Sequence, residues 1–214
     1  VDYTEILLPI HAPEHLKNRQ ELWREVERVE KRKDAQLARE INVALPVELP
    51  HEAQIELAKK FVQDAFVRDG MIADLCVHDL DSENPHFHVM LTTRNVDESG
   101  FTTKNRDWND RELLKKWREK WAEYANAELE KNGFDERIDH RTLETQNIER
   151  EPQIHLGPTR HAMLEKGKSL YSIDEQHLTQ IAQRAAAEKI KEAELYAQNE
   201  SIENELKQLE YELH

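Results

Sequence analysis

Three histidines near the middle of the chain have the spacing of a metal site. His86 and His88 flank Phe87, and His78 lies upstream across a polar turn. Side chains at positions i and i+2 of a β-strand point to the same side of a sheet, so His86 and His88 converge, and His78 joins them if its own strand faces the same way. Three imidazoles with open coordination positions are typical of a catalytic metal. The alternative is a set of surface or core histidines. The His-x-His pair alone is a weak indication of a metal site, because it also occurs in many barrels.

The segments on either side of the turn alternate between apolar and polar residues with a period of two. This pattern predicts two strands, residues 71–78 and 86–94, joined by a turn at 79–85. In an antiparallel hairpin of this kind the histidines share one face and Phe87 takes the other. Arg94 falls on the histidine face, where it could hold a phosphate, although a salt bridge at the sheet edge explains it equally well.

The composition narrows the class of protein. The 214 residues suffice for one domain and an appendage, and 38% hydrophobic against 35% charged residues, with a mean hydropathy of −0.88, exclude a membrane protein. The net charge of −14 argues against a generic nucleic-acid binder, so any DNA contact must be local and metal-assisted. The single cysteine, Cys76, leaves no internal disulfide and is typical of a reducing compartment, which predicts a cytoplasmic protein.

Periodicity and turn residues predict the remaining elements. They are a strand at 1–8, a helix that begins near 11 and continues towards 41 with a break near Asp34, a central strand at 41–45, helices at 51–68 and from Asn109 to about 132, and a loop or ragged hairpin at 95–107. Residues 172–214 are acidic and helix-forming and open with a capping box. We therefore predict a domain at 1–165 and an acidic helical extension at 166–214 that forms a long C-terminal helix.

Three stretches together resemble a known family. The segment NPHFHVMLTTR, preceded by a strand that ends in His78, resembles the histidine motif of plasmid relaxases of the MobA/MobL family. The stretch KRKDAQLAREINVALPVEL is similar to the segment that precedes this motif in the family, and RIDHRTLETQNIEREPQIHLGP is similar to the segment that comes after it. The three cover residues 4–158 in the family's order, which is far more specific than three histidines.

The resemblance implies a fold and a reaction. The fold is α+β, that of the HUH endonucleases, with a central antiparallel sheet and helices on the face opposite the active site. The reaction is cleavage of one DNA strand at an origin of transfer: a tyrosine hydroxyl attacks the scissile phosphate, leaving a 5′-phosphotyrosine link and a free 3′-OH, and the reverse attack rejoins the strand. The implied partners are single-stranded DNA at that origin and accessory proteins of the relaxosome, with no membrane.

The resemblance also implies roles for individual residues. His78, His86 and His88 would bind a divalent metal, Mg or Mn in this family, although imidazole ligands usually favour Zn or another transition metal. Glu40 matches an acidic family position and would orient one of the histidines, unless it is a solvent-facing carboxylate of its strand. The candidates for DNA binding are three cations in or after the histidine hairpin: Arg94, Lys104 and Arg106.

The nucleophile is the main departure from the family pattern. The family's tyrosine lies in an N-terminal segment ahead of everything found here, and Tyr3 sits in DYTEILLP, which resembles the family's segment just after that tyrosine. Tyr3 is therefore only a weak candidate nucleophile, and the relaxase domain is expected to be N-terminally incomplete. We expect a metal site and a strand-binding groove, no efficient cleavage by these 214 residues alone, and an uncovered sheet edge or apolar surface.

Other functions remain compatible with these residues. A rolling-circle replication initiator would use the same metal chemistry, but the downstream similarity favours the relaxase. A catalytically incomplete DNA-binding or relaxosome module is favoured by the missing nucleophile, and its acidic extension would contact other proteins. A His-x-His metal oxygenase would need a carboxylate ligand and many short strands, and the long predicted helices count against it.

Overall fold

The computed structural model describes residues 1–149, together with the isolated positions 163 and 166. Residues Val1–Asn147 form one compact unit. The predicted boundary after residue 165 and the predicted C-terminal helix lie outside the described residues. The strands are β1 (Tyr3–Leu7), β2 (Ala38–Ala44), β3 (Ala73–His78), β4 (His86–Thr92), β5 (Arg94–Asp97) and β6 (Gly100–Lys104), and the helices are α1 (Arg19–Val29), α2 (His51–Val62) and α3 (Arg111–Lys131).

The main sheet has four antiparallel strands in the order β1-β3-β4-β2, and β5 and β6 form a separate hairpin. The fold is therefore α+β, as predicted. Strands β3 and β4 are joined by a turn, so the predicted histidine hairpin is confirmed, with Cys76 opposite His88 and His78 opposite His86. Asp2 supports this turn, because its carboxylate accepts a hydrogen bond of 3.0 Å from the backbone N–H of Leu80.

Strand β2 differs from the prediction in length and position. The helical prediction for residues 31–41 was wrong, because α1 ends at Val29 and β2 already begins at Ala38. The strand was also predicted to be central, but it lies at an edge of the sheet and pairs with β4. An open groove of about 440 Å³ runs beside this edge and is lined largely by aromatic and aliphatic side chains of β2, α2 and α3.

One face of the sheet is covered by α2 and α3. Phe87 and its neighbours two and four residues on, Val89 and Leu91, are fully buried in this core. The ring of Phe61 from α2 lies 6.3 Å from Phe87 and 5.0 Å from Trp121 of α3. A π-helical turn, Gln63–Val67, extends α2 and continues its buried stripe. None of the helices in the described residues is long and apolar enough to cross a membrane.

The opposite face carries a helix at one end only. Leu22 and Val26 of α1 are buried against Ile6 and Ile72, and Val96 of β5 completes this second apolar cluster. The sequence predicted helices on one face and did not predict this packing of α1. Helix α1 covers the Asp74 end of β3 and does not cover the His78 end, which remains partly exposed on the same face.

Candidate metal and nucleic-acid site

The histidine trio (His78, His86 and His88) lies on the partly exposed face of the sheet. The ring centroids are 5.1 Å apart for His86 and His88, 5.2 Å for His78 and His88, and 5.6 Å for His78 and His86. Each ring is half-buried among its neighbours. The shared face that the spacing predicted is therefore present, because the register of the hairpin places all three side chains on one side.

The tautomers of His86 and His88 are fixed by two acceptors, one a backbone carbonyl and the other a side-chain carboxylate. The Nδ1 atom of His86 lies 2.8 Å from the carbonyl oxygen of Asn84, and Nδ1 of His88 lies 2.8 Å from Oε1 of Glu40. A carbonyl or carboxylate oxygen only accepts, so both histidines donate from Nδ1 and, when neutral, present the lone pair of Nε2. Metal-binding histidines are held in the same way by an acceptor behind the ring.

His78 is kept neutral by its surroundings. Burial lowers the pKa of His78, and the neighbouring His88 and His86 lower it further, because a second positive charge beside them is unfavourable. A neutral imidazole retains the lone pair that a metal needs. A set of three imidazole nitrogens fits a divalent cation, and transition metals bind such ligands more readily than Mg does.

The trio does not stand in the geometry of a finished metal centre. No group of three or more His, Cys, Asp or Glu side chains in the described part of the chain is already placed to hold an ion. The rings of His78 and His86 are nearly parallel, with an interplanar angle of 13°, so they do not point at a common position. Because the Asn84 carbonyl holds the His86 ring, a shared metal position would require the His78 ring to turn.

Glu40 lies where the sequence placed it. It is on β2, its side chain is 63% exposed, and its carboxylate holds His88. Glu40 therefore faces solvent and also contacts a histidine, and its role in orienting a metal ligand stays a prediction.

Arg94 and Lys104 both contact a buried carboxylate, and for Arg94 this is a salt bridge, the kind of contact that the sequence left open as the alternative to phosphate binding. β4 ends at Thr92 and Arg94 begins β5, so the expected place of Arg94 on the histidine strand was wrong. Arg94 Nε and Lys104 Nζ lie 2.9 and 3.1 Å from the same oxygen of Glu30, whose side chain is only 5% exposed. They therefore tie the β5–β6 hairpin to the end of α1. DNA contacts by these cations and by the exposed Arg106 stay predictions.

Tyr3 is not near the trio. It lies opposite Val77, which is fully buried under the helices, so its ring is on the helix-covered face and the histidines are on the other. Its hydroxyl donates to Glu5, and Nζ of Lys59 lies 5.5 Å from its ring centroid. The weak candidacy of Tyr3 as nucleophile is therefore corrected, because the sheet itself separates its oxygen from the histidines.

Tyr124, on α3, is also on the helix-covered side. Its hydroxyl donates to the carboxylate of Asp64, and this hydrogen bond, together with burial, raises the pKa of Tyr124 to about 12. A phenol with so high a pKa is a poor nucleophile at neutral pH. Neither tyrosine within residues 1–149 faces the trio.

A buried network on the histidine face was missed by sequence reasoning. Asp74, 5% exposed, accepts from Arg19 Nε and Nη2 at 2.9 and 2.8 Å and from Trp23 Nε1 at 2.8 Å. Asp74 is paired across the sheet with Met90, two positions from His88. The available signal was an acidic residue inside an alternating strand, with an arginine and a tryptophan four residues apart in a helix.

Comparison with known proteins places these observations in a family. A model of the MobA/MobL family matches residues 1–166. The conjugal transfer protein TraA of Agrobacterium fabrum is 34% identical over 207 residues, covering 78% of this chain and 19% of that protein. Mobilization protein A of Escherichia coli is 36% identical over 166 residues, covering 69% and 23%.

A solved structure shares the fold. It comes from work on the molecular basis of vancomycin resistance transfer in Staphylococcus aureus, and it matches with a TM-score of 0.63 and 42% identity over 66% of this chain and 76% of that one. The chain spans only about a fifth of the length of the TraA and mobilization relatives.

Proposed function

Because this chain belongs to the MobA/MobL family, we propose that it is the strand-cleaving domain of a mobilisation relaxase, with the HUH type of site, acting on single-stranded DNA at an origin of transfer. The observation that carries the proposal is the histidine trio, with His88 held by Glu40 and His86 held by the Asn84 carbonyl. A structural role does not require three imidazoles together on a partly exposed face, with the two on β4 each held at Nδ1 by an acceptor behind the ring.

The residues of this chain bind and orient in the proposed mechanism. Nε2 of His86 and His88, and a ring nitrogen of His78 after rotation, would hold a divalent cation of the Mg or Mn type. When bound, such an ion polarises a non-bridging phosphate oxygen and offsets negative charge in the transition state. Glu40 keeps the His88 ring in its ligating orientation. The positive charge of the bound cation would also offset, at this site, the repulsion between DNA and a chain with a net charge of −14.

The covalent step needs a tyrosine from outside residues 1–149. Its oxygen attacks the scissile phosphorus, the P–O3′ bond breaks, and the products are a 5′-phosphotyrosine and a free 3′-OH. Attack by the 3′-OH reverses the step, re-forms the phosphodiester and releases the tyrosine. Tyr3 and Tyr124 do not serve, because both lie beneath the other face of the sheet.

Metal binding is the first test. Titration of the full chain with Mn²⁺ is expected to show one tight equivalent that His86→Ala loses. His15→Ala is the matched control, because His15 is half-exposed beside Glu25 and lies outside the histidine hairpin. Failure of the unmodified chain to bind Mn²⁺, or equal loss in both variants, would contradict the metal site.

Glu40→Gln examines how the trio is positioned. The amide no longer accepts with a full charge, so His88 is held less firmly and Mn²⁺ affinity should fall by about 10- to 100-fold. Glu52→Gln, an exposed change in the first turn of α2, is the control for loss of one negative charge. If the two variants bind Mn²⁺ equally well, Glu40 is only a solvent-facing carboxylate.

DNA capture tests the reaction. Labelled single-stranded oligonucleotides tiled across an origin region are incubated with the chain and Mn²⁺ and resolved on a denaturing gel. We expect strand binding that His86→Ala weakens, and Tyr3→Phe is expected to leave any covalent adduct unchanged. An adduct lost in Tyr3→Phe would contradict the placement of that residue.

A non-catalytic DNA-binding module is the second candidate function. The position of both described tyrosines on the far side of the sheet favours it for this chain taken alone. Strand binding without any adduct, even after the whole protein is supplied, would select this module over the relaxase.

A further inference from the structure

Arg19 is the first residue of α1 and lies on the same face of the sheet as the histidine trio. Its Nη2 atom is 3.8 Å from Sγ of Cys76, and Cys76 is the direct cross-strand partner of His88. Paired residues of antiparallel strands have Cβ atoms about 4.5–5.5 Å apart. The guanidinium therefore stands about one side chain away from the trio.

The carboxylate of Asp74 holds this guanidinium in place. It accepts from Nε at 2.9 Å and from Nη2 at 2.8 Å, and its Oδ2 atom also accepts from Trp23 Nε1 at 2.8 Å. A carboxylate buried to this degree is costly unless it is fully hydrogen-bonded, which this network achieves. The planar fork of arginine loses little further freedom when it then binds a second anion.

Arg19 retains donors for another ligand. A guanidinium has five N–H groups: Asp74 engages the Nε and one Nη2 group, and Nη2 also lies 3.8 Å from Cys76 Sγ, so both Nη1 hydrogens are without an acceptor among the described residues. The Arg19 side chain is 44% exposed, whereas its carboxylate partner is 6% exposed. The cation therefore faces solvent and the anion that fixes it does not.

Arg94 offers a contrast within the same unit. Its Nε binds the buried Glu30 and its Nη1 donates to the carbonyl of Thr102 at 2.7 Å, so its fork is used at both ends inside the protein. Its side chain is 23% exposed, about half the value for Arg19. Arg19 is thus the better placed of the two to meet an external anion.

We propose that Arg19 binds a backbone phosphate of single-stranded DNA that neighbours the phosphate held at the histidine trio. The inference rests on the proposed function, because it takes the trio as the place of the scissile phosphate. Arginine is suited to this contact, since its Nη1 group can donate to phosphate oxygens while Asp74 holds the rest of the guanidinium, and its charge does not titrate. In this arrangement the trio and Arg19 hold two successive points of the strand and so set its direction across the sheet.

The test combines substitutions in the protein with substitutions in the DNA. Anisotropy is measured with a single-stranded oligonucleotide that the unmodified chain binds, in a set where each phosphate in turn is replaced by an uncharged methylphosphonate. Three variants are compared: Arg19→Gln, Arg19→Lys and the control Arg28→Gln. Arg28 has the same charge, lies on the same helix and is an exposed partner of Glu25 at 3.6 Å.

Arg19→Gln is expected to weaken binding about tenfold and to make its salt dependence shallower by up to about one unit of slope. One methylphosphonate beside the trio's phosphate should weaken binding to the unmodified chain and have no further effect in Arg19→Gln. Arg28→Gln should retain both the affinity and that methylphosphonate effect. Arg19→Lys keeps a cation beside Asp74, so it should fold and show an intermediate loss.

The opposite results separate the two proposals. If Arg19→Gln lowers thermal stability while DNA affinity, salt slope and the methylphosphonate pattern stay unchanged, Arg19 only tethers α1 and the inference fails. If Arg19→Gln does not fold, an Arg19→Lys variant with the full affinity and methylphosphonate pattern of the unmodified chain overturns it equally. If the unmodified chain binds no oligonucleotide, the proposed function itself fails and this inference fails with it.

Discussion

The two faces of the main sheet are held together by different forces. The face under α2 and α3 is dry, and β4 contributes three fully buried apolar side chains to it. On the opposite face, two carboxylates with 5–6% exposed side chains are locked by cations: Asp74 by Arg19, and Glu30 by Arg94 and Lys104. One side of the unit is therefore stabilised mainly by apolar burial, and the other combines a smaller apolar cluster under α1 with buried charge-assisted hydrogen bonds.

Along β4, the residues that stabilise the fold alternate with the residues of the candidate site. Alternate residues of β4 point to opposite faces, so Phe87 enters the core while His86 and His88 remain half-buried. The histidines contribute little to the core, and the core residues do not reach the histidine face. Substitutions at neighbouring positions should therefore have effects of different kinds.

Phe87→Ala should produce the largest loss of stability. Removing a fully buried ring that packs against Phe61 and Trp121 is expected to cost about 3–5 kcal/mol. His88→Ala, one residue away with a side chain that is 33% exposed, should cost about 1 kcal/mol or less. Urea unfolding followed by circular dichroism measures both.

The destabilisation by Phe87→Ala should not depend on salt. Because the loss of an apolar contact has no ionic component, it should be the same at low and high ionic strength. Equal destabilisation by the two variants would show that the histidine face belongs to the stabilising core, and the comparison between the faces would then be wrong.

Glu30→Gln should produce the next largest effect, on the charged side. The amide cannot accept from Arg94 and Lys104 as a carboxylate does, and the free energy of unfolding should fall by about 2 kcal/mol at neutral pH. Burial alone raises the pKa of Glu30, but the hydrogen bonds from Arg94 and Lys104 outweigh it and hold the pKa below its ordinary value of 4.5.

The sign of the pH dependence is set by this lowered pKa. The stabilisation is complete above pH 4.5, where the unfolded carboxyl is also ionised, and it is lost as the pH falls through the lower folded-state pKa. Glu30→Gln should therefore be less sensitive to acid than the unmodified chain in urea unfolding below that pH. Glu27→Gln, an exposed change on the same helix, should leave the acid sensitivity intact.

Local patterns were sufficient to predict the histidine hairpin, because alternation and the turn residues lie within one short stretch. The edge position of β2 depends on which strand pairs with β4, and no local pattern carries that information. The charged contacts were beyond reach for the same reason: Arg94 and Glu30 are 64 residues apart, and Arg19 and Asp74 are 55 apart. Their shared environment exists only after the sheet and α1 have packed.

The position of Tyr3 shows the same limit. A tyrosine near the start of the chain could be named as a candidate nucleophile, but its face depends on the register of β1 with β3. That register pairs Tyr3 with Val77 and so turns it away from His78. The family comparison established the family of the chain and did not supply this geometry.

Tyr124→Phe should produce a smaller effect than Phe87→Ala or Glu30→Gln, and it examines a polar contact on the side covered by α2 and α3. Loss of the hydrogen bond to Asp64 should lower the free energy of unfolding by about 1 kcal/mol at neutral pH. That hydrogen bond and burial raise the pKa of Tyr124 to about 12, against an ordinary value of 10.0, so the folded state favours the neutral phenol. The stabilisation is therefore complete below pH 10 and is lost as the pH rises towards 12, where the folded-state phenol also ionises.

Phenolate absorbance during an alkaline titration should show a component near pH 12 that Tyr124→Phe removes and Tyr3→Phe leaves in place. If that component survives in Tyr124→Phe, it does not come from Tyr124. The hydrogen bond to Asp64 then does not raise the pKa of Tyr124 to about 12, and it does not stabilise the fold in the way proposed.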